Sequence, residues 1–205
     1  MGQLAPARAI FEALIAAAPS LESAVSKGFA HDPLLGLASN FSHIEWATGD
    51  TVSARARSAK AMETIAAATR NANTVSYVMT WDMLLSVYAR DSQRARLSSE
   101  RLQEHARRTG GMFWEQSSHW GLGAAALMDG DMAAALPLLR SGIDGFVHTG
   151  GLQHVPFFKL SLAEAHHLDG DDVAALAVLN DSRALIERTE QRFYEPEMHR
   201  WRGIV

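Results

Sequence analysis

Apolar residues recur in steps of four and three along this chain. Phe158, Leu162, Ala165 and Leu168 are the cleanest case, and that spacing keeps one face of an α-helix apolar. Leu37, Phe41, Ile44 and Ala47 repeat it earlier, as do Val78, Leu85 and Tyr88, and Leu122, Ala125 and Met128. Between these segments lie Leu136, Leu139, Ile143 and Phe146, and then Leu176, Leu179 and Ile186. No stretch alternates every second residue or is rich in β-branched side chains, so no sheet is expected and the chain reads as all-α. Asp82 and Ser118 are polar exceptions at stripe positions.

The stripes are punctuated at a fixed interval. Gly49, Arg90, Gly130 and Gly170 are spaced by 41, 40 and 40 residues, each is followed by an aspartate, and five residues beyond each stands an alanine: Ala54, Ala95, Ala135 and Ala175. Gly2 and Ala7 repeat the glycine-to-alanine step at the start. A second marker keeps the same phase: Thr69, Thr109, Thr149 and Thr189 are spaced by 40, and glycines follow the middle two. Glycine tolerates the positive φ that ends a helix. An aspartate directly after it can cap the next helix, a contribution of about 0.5–2 kcal/mol. The alanine one turn later lets two helices come close, and the Thr-Gly pairs mark the end of the second helix.

This punctuation predicts a TPR-like α-solenoid of antiparallel helix hairpins with a ~40-residue period, longer than the standard TPR. The expected organisation is one domain over 1–205. Hairpins fall at about 31–72, 73–111, 112–151 and 152–192, with half-repeats at 2–18 and 194–205. A loop runs through Ala30 between the first half-repeat and the first hairpin. Half-repeats at both ends suggest a fragment of a larger protein. Pro33 and Pro156 stand where helices begin, and Pro137 falls in the first turns of a second helix.

Composition narrows the function classes. Of 205 residues, 47% are hydrophobic and 20% charged, an ordinary globular balance. Cysteine is absent, which removes disulfides, thiolate chemistry and Cys-based zinc sites. The net charge of −4 argues against direct nucleic-acid binding. No segment reaches the ~20 apolar residues of a membrane span. The apolar run from Ala9 to Pro19 contains Glu12 and has only Arg8 ahead of it, so it reads as a helix rather than a secretion signal. A cytoplasmic location, with no membrane partner, is the expectation.

Three stretches carry a family resemblance. They are His31-Asp32-Pro33 with the helix through Trp46 to Gly49, the run from Ala135 to Gly150, and Glu187-Arg188-Thr189 through Phe193-Tyr194-Glu195 to His199-Arg200. They resemble the C-terminal TPR-like region of bacterial multidomain signalling ATPases, which couple a P-loop ATPase to an adenylate or guanylate cyclase domain or to a DNA-binding transcriptional regulator. The resemblance implies a regulatory region that senses a ligand or docks a partner, with the chemistry upstream. This chain has no G-x-x-x-x-G-K-[ST] phosphate loop and no cyclase domain, so no catalytic residue of that family transfers to it.

Read for chemistry, the residues give little. His166 and His167 with Asp169, Asp171 and Asp172 form the most metal-like cluster, but adjacent histidines on a helix point about 100° apart. His167 falls in register with Trp46, Val87 and Leu127, a packing position, so no metal and no cofactor are expected. Gly121-Leu122-Gly123 lies within a helix and reads as close packing rather than a phosphate cradle. Arg94, Arg96, Arg101, Arg107 and Arg108 gather on one second helix beside Glu100 and Glu104, a solvated face or a contact for an acidic partner. Neither G-x-S-x-G nor H-E-x-x-H occurs, and no catalytic residues are assigned. Trp81, Trp114, His119 and Trp120 lie on first helices, where they are core residues or groove contacts for a peptide or small ligand. The reading is a non-catalytic interaction or ligand-sensing scaffold. Its partner is a protein or peptide, or the upstream domains of the same chain, and a small-molecule effector is a further option. The alternatives are a self-contained TPR-like adaptor and, from another class, a helical enzyme with a cryptic site.

Overall fold

A computed structural model describes residues 4–21, 32–68 and 71–205; the expectations attached to Gly2, the loop through Ala30, His31 and Thr69 lie outside them. Among the described residues the chain forms ten α-helices and one short 3-10 helix, without a strand. These are α1 (Leu4–Leu21), α2 (Pro33–Ala47), α3 (Thr51–Ala68), α4 (Ala72–Tyr88), α5 (Ser92–Thr109), α6 (Met112–Met128), α7 (Met132–His148), α8 (Val155–Leu168), α9 (Asp172–Thr189), the 3-10 helix (Arg192–Tyr194) and α10 (Glu195–Ile204). Consecutive helices from α1 to α9 pack as antiparallel neighbours, and α10 lies on α9 and α8. The even-numbered helices also touch one another in order, α2 to α4, α4 to α6, α6 to α8 and α8 to α10.

Each turn between an even helix and the odd one after it is built the same way. Gly49, Arg90, Gly130 and Gly170 have φ of +90°, +56°, +80° and +85°, so the chain leaves the helix through the left-handed region. The following aspartate then acts twice. Its backbone N–H donates to a carbonyl of the preceding helix: Asp50 to Glu45, Asp91 to Ser86, Asp131 to Ala126 and Asp171 to His166, all within 2.9–3.0 Å. Its carboxylate accepts from the first turn of the next helix, at the N–H of Ser53, Arg94, Ala134 and Ala174. One turn on, Ala54, Ala95, Ala135 and Ala175 are all completely buried. The threonines close the odd helices: Thr109, Thr149 and Thr189 donate their hydroxyls to the carbonyls of His105, Phe146 and Leu185.

The main core runs from Met83, Leu84 and Leu102 through Trp120, Leu139 and Phe146 to Phe158. A second cluster gathers Leu160, Leu179, Ile186, Met198 and Trp201, and a third joins Ala61, Ile65 and Val78. The apolar stripes fade at their turn ends. Ala47 and Leu168 are exposed and Tyr88 and Met128 only half-buried, because the last residue of each stripe lies beside the open turn. Leu176 is exposed as well, so the α9 stripe reduces to Leu179 and Ile186. The two stripe exceptions are satisfied polar residues. Asp82 accepts from Ser58 (2.6 Å), Ser98 (2.6 Å) and Arg94 (2.5 Å), tying α3, α4 and α5 together. Ser118 donates to the carbonyl of Glu115 one turn back.

Candidate functional site

The even helices bring aromatic and histidine side chains from distant parts of the chain to one side of the fold. His43 of α2 lies edge-on to Trp81 of α4, with centroids 4.3 Å apart, and to Tyr88 at 5.2 Å. His154, just ahead of α8, also meets Trp81 in a T-shaped contact, at 5.2 Å and 90°. Tyr194 of the 3-10 helix stacks on Phe157 and reaches the hydroxyl of Tyr88 at 3.2 Å, across 106 residues of sequence. His43, Trp81, Tyr88, His154 and Tyr194 border a cavity of about 380 Å³ that Asn40 and Phe11 also line. A second hollow of about 300 Å³ shares His43, Tyr88, Phe193 and Tyr194 with it and extends between Trp46 and Trp201. Arg90 and Glu164 lie at its edge and form an ion pair at 2.8 Å.

Two geometric facts set the chemistry here. His43 Nε2 donates to the carbonyl of Trp81 at 2.9 Å. The Nδ1 of a neutral ring is then a bare acceptor, and no donor to it is found among the described residues. Tyr194 meets His154 Nδ1 at 2.5 Å while also touching Tyr88. With Tyr88 donating to Tyr194 and Tyr194 to His154, each hydroxyl proton has an acceptor and the histidine's own proton sits on Nε2. Burial pushes His43 down to about 3 and His154 to about 4, so both rings are neutral at physiological pH. Burial likewise raises Tyr194 to about 12 and Tyr88 well above the usual phenol value, so neither ionises.

Backbone strain gathers at the same place. Arg90, His154 and Glu190 have φ of +56°, +64° and +58°, the non-glycine residues in the left-handed region among those described. His154 lines the larger cavity, Arg90 lines the smaller, and Glu190 precedes Gln191, another lining residue. Gln191 braces the strained turn, since its Oε1 accepts the backbone N–H of His154 and its Nε2 donates to the carbonyl of Leu152. Such conformations cost of order 1–3 kcal/mol each and persist where the surroundings impose them.

The four residues singled out as groove contacts separate. Trp81 is 9% exposed and forms a wall of the cavity. Trp120 has no exposed surface; it stacks on Phe158 at 4.2 Å and donates to that residue's carbonyl, so it is core. Trp114 is half-buried at the start of α6, donating to Asn73 and lying edge-on to Tyr77. His119 is half-buried, and its Nδ1 is enclosed without a partner. His43, Tyr88, His154 and Tyr194 carry the site and were not signalled by the sequence patterns. Comparing the residue nine before each turn would have paired Trp81 with Asn40, two residues of one wall.

The other clusters resolve into packing and pairing. His166 is buried and His167 half-exposed, the reverse of the packing expectation, with His167 bonded to Asp172 at 2.6 Å. Among the described residues no three His, Cys, Asp or Glu side chains come together as a metal ion would require. Gly121 and Gly123 are close-packing positions, since a Cβ on the first would meet Met83 at 2.2 Å and on the second the backbone of Leu139 at 2.7 Å. On α5, Arg94 pairs with Asp82, Arg96 with Asp129 and Arg107 with Glu115. Arg101 and Arg108 instead border an open groove of about 1030 Å³ between α3 and α5, floored by Met62, Val75 and Met79. No helix among the described residues is long and apolar enough to cross a membrane. Compared with models of protein families, with curated proteins and with solved structures, the chain finds no significant match, so its function is read from its own residues.

Proposed function

We propose that this chain is a TPR-like α-solenoid serving as a non-catalytic ligand-sensing or protein-interaction scaffold, and that its receiving surface is the aromatic cavity between α1, α2, α4, the turn ahead of α8 and the 3-10 helix. The observation that carries this reading is the convergence of His43, Trp81, Tyr88, His154 and Tyr194, distant in sequence, around an open, aromatic-lined cavity edged by strained backbone. Four turns of one construction favour the solenoid description, because each hairpin is then joined and capped in the same way as its neighbour. Binding rather than turnover fits the groups present, since buried histidines held neutral by desolvation are poor proton carriers at physiological pH. The setting we propose is the regulatory region of a bacterial multidomain ATPase, of the cyclase-linked or transcription-regulating kind, in the cytoplasm. Occupancy of the cavity would bias the output domain.

Proximity labelling in cells, combined with native mass spectrometry of the purified chain, tests this. Wild type is compared with Trp81→Ala and with Tyr194→Ala, each checked for native helicity. The expected result is loss of a partner or of a bound small molecule in both variants. Retention of every partner and ligand by two folded variants would remove the cavity from the function.

A further inference from the structure

We infer that the cavity beside Trp81 takes an uncharged, flat ring compound that carries an N–H or O–H donor next to an acceptor. This rests on the reading of the cavity as a receiving surface and adds the chemistry of what it receives. Three observations lead to it.

The first is the absence of charge. Among the described residues that border this cavity none is Asp, Glu, Lys or Arg, and its two histidines are kept neutral by burial. A charged ligand would give up part of its hydration here and meet no counter-ion among the described residues. In the neighbouring hollow the bordering charges are already paired, Arg90 with Glu164 and Glu197 with Arg200. The second is shape. Trp81 makes T-shaped contacts with both His43 and His154, and Tyr88, Tyr194 and Phe11 complete an aromatic lining. Ring faces and edges favour a flat partner that can stack or meet them edge-on. A volume of about 380 Å³ falls in the range of small-molecule sites and is too small for a folded segment.

The third is the set of polar atoms left over. His43 is 8% exposed, lines the cavity and has an acceptor Nδ1 with no partner among the described residues. Asn40 uses Nδ2 on the carbonyl of Gly36 and the hydroxyl of Tyr77, which leaves Oδ1 as a second acceptor. The indole N–H of Trp81 supplies a donor that makes no hydrogen bond among the described residues. Two acceptors and one donor on aromatic walls match a ring lactam or a similar heterocycle, whose N–H and C=O lie side by side.

The test uses the full chain, labelled with nitrogen-15, and four probes: 2-quinolone, N-methyl-2-quinolone, quinoline-2-carboxylate and a proline-rich decapeptide. The expected result is that 2-quinolone shifts the indole resonance of Trp81. N-methylation should weaken binding about tenfold, and the carboxylate should bind at least tenfold more weakly than 2-quinolone. Asn40→Leu and His43→Phe should each weaken 2-quinolone by about tenfold while leaving the N-methyl compound unchanged. Two variants are used because His43 is buried and its replacement could disturb the fold. Equal or tighter binding of the carboxylate, or equal binding of the N-methyl compound, overturns the inference. If only the peptide shifts Trp81, the ligand class is wrong and the receiving surface stands; if no probe shifts it, both readings fall.

Discussion

The hairpins α4–α5 and α6–α7 share one turn construction and differ in almost everything behind it. Ten residues before and twelve after the turn residue, α4–α5 carries Thr80 and Leu102, whereas α6–α7 carries Trp120 and Gly142. All four are buried, so the bulk at this level has changed helix. A Cβ on Gly142 would lie 2.4 Å from the backbone nitrogen of Trp120, which shows how closely the two helices approach. Two residues further along the first helix the contrast is electrostatic: Asp82 gathers Ser58, Ser98 and Arg94, while its counterpart is the half-buried, apolar Leu122. The comparison teaches that the period fixes turns and caps, and that each hairpin finds its own way to fill the space between its helices.

The largest effect expected from breaking this contrast is at Gly142. Gly142→Leu copies the α5 residue into α7 and should cost about 3 kcal/mol or more, because backbone rather than a flexible side-chain tip stands in the way. Urea unfolding should show Trp120→Thr recovering little of that loss in the double variant, because the backbone and Cβ of residue 120, not the indole ring, meet the added side chain. Asp82→Ala comes next, at about 2–3 kcal/mol, since it strands a guanidinium and two enclosed hydroxyls; partial exposure of Arg94 keeps it below the full cost of a broken buried pair. Leu122→Ala, at the same register of α6, should cost less by the same measurement.

Acid should act on a third region, the histidine cluster, before it reaches α6–α7. The folded-state values of about 3 and about 4 lie below the unfolded 6.5, so between those limits the unfolded chain binds more protons. Stability is therefore intact above pH 6.5 and falls as pH drops, by up to about 1.4 kcal/mol per pH unit for each histidine. His43→Phe should flatten the curve, and amide exchange at pH 5 should rise in α2 and α4 while α6 and α7 stay protected. The smallest effect is at the turns. Gly130→Arg should cost about 1–2 kcal/mol for its left-handed φ. Arg90→Gly should gain less than that in thermal melts, because it also removes the ion pair with Glu164.

The turns were legible in the sequence because their physics is local. An aspartate capping an N–H three residues on, and an alanine with no room around it, leave marks that survive in every hairpin. The cavity was not legible in that way. On α4 every residue from Thr80 to Val87 is buried, so the stripe does not tell which face holds a given tryptophan. Trp81 and Trp120 look alike in sequence; one borders open space and the other is enclosed by Phe158. Asp82 stood out as an exception, but Ser58, Ser98 and Arg94 become its partners only when three helices meet. His154 is placed by a left-handed turn held by Gln191, 37 residues away, which no periodic pattern records.

The hydroxyl contact between Tyr88 and Tyr194 joins the end of α4 to a segment beyond α9. It ties two points 106 residues apart in sequence, so replacing either hydroxyl, as in Tyr88→Phe, takes away a polar cross-link that packing between consecutive helices does not supply.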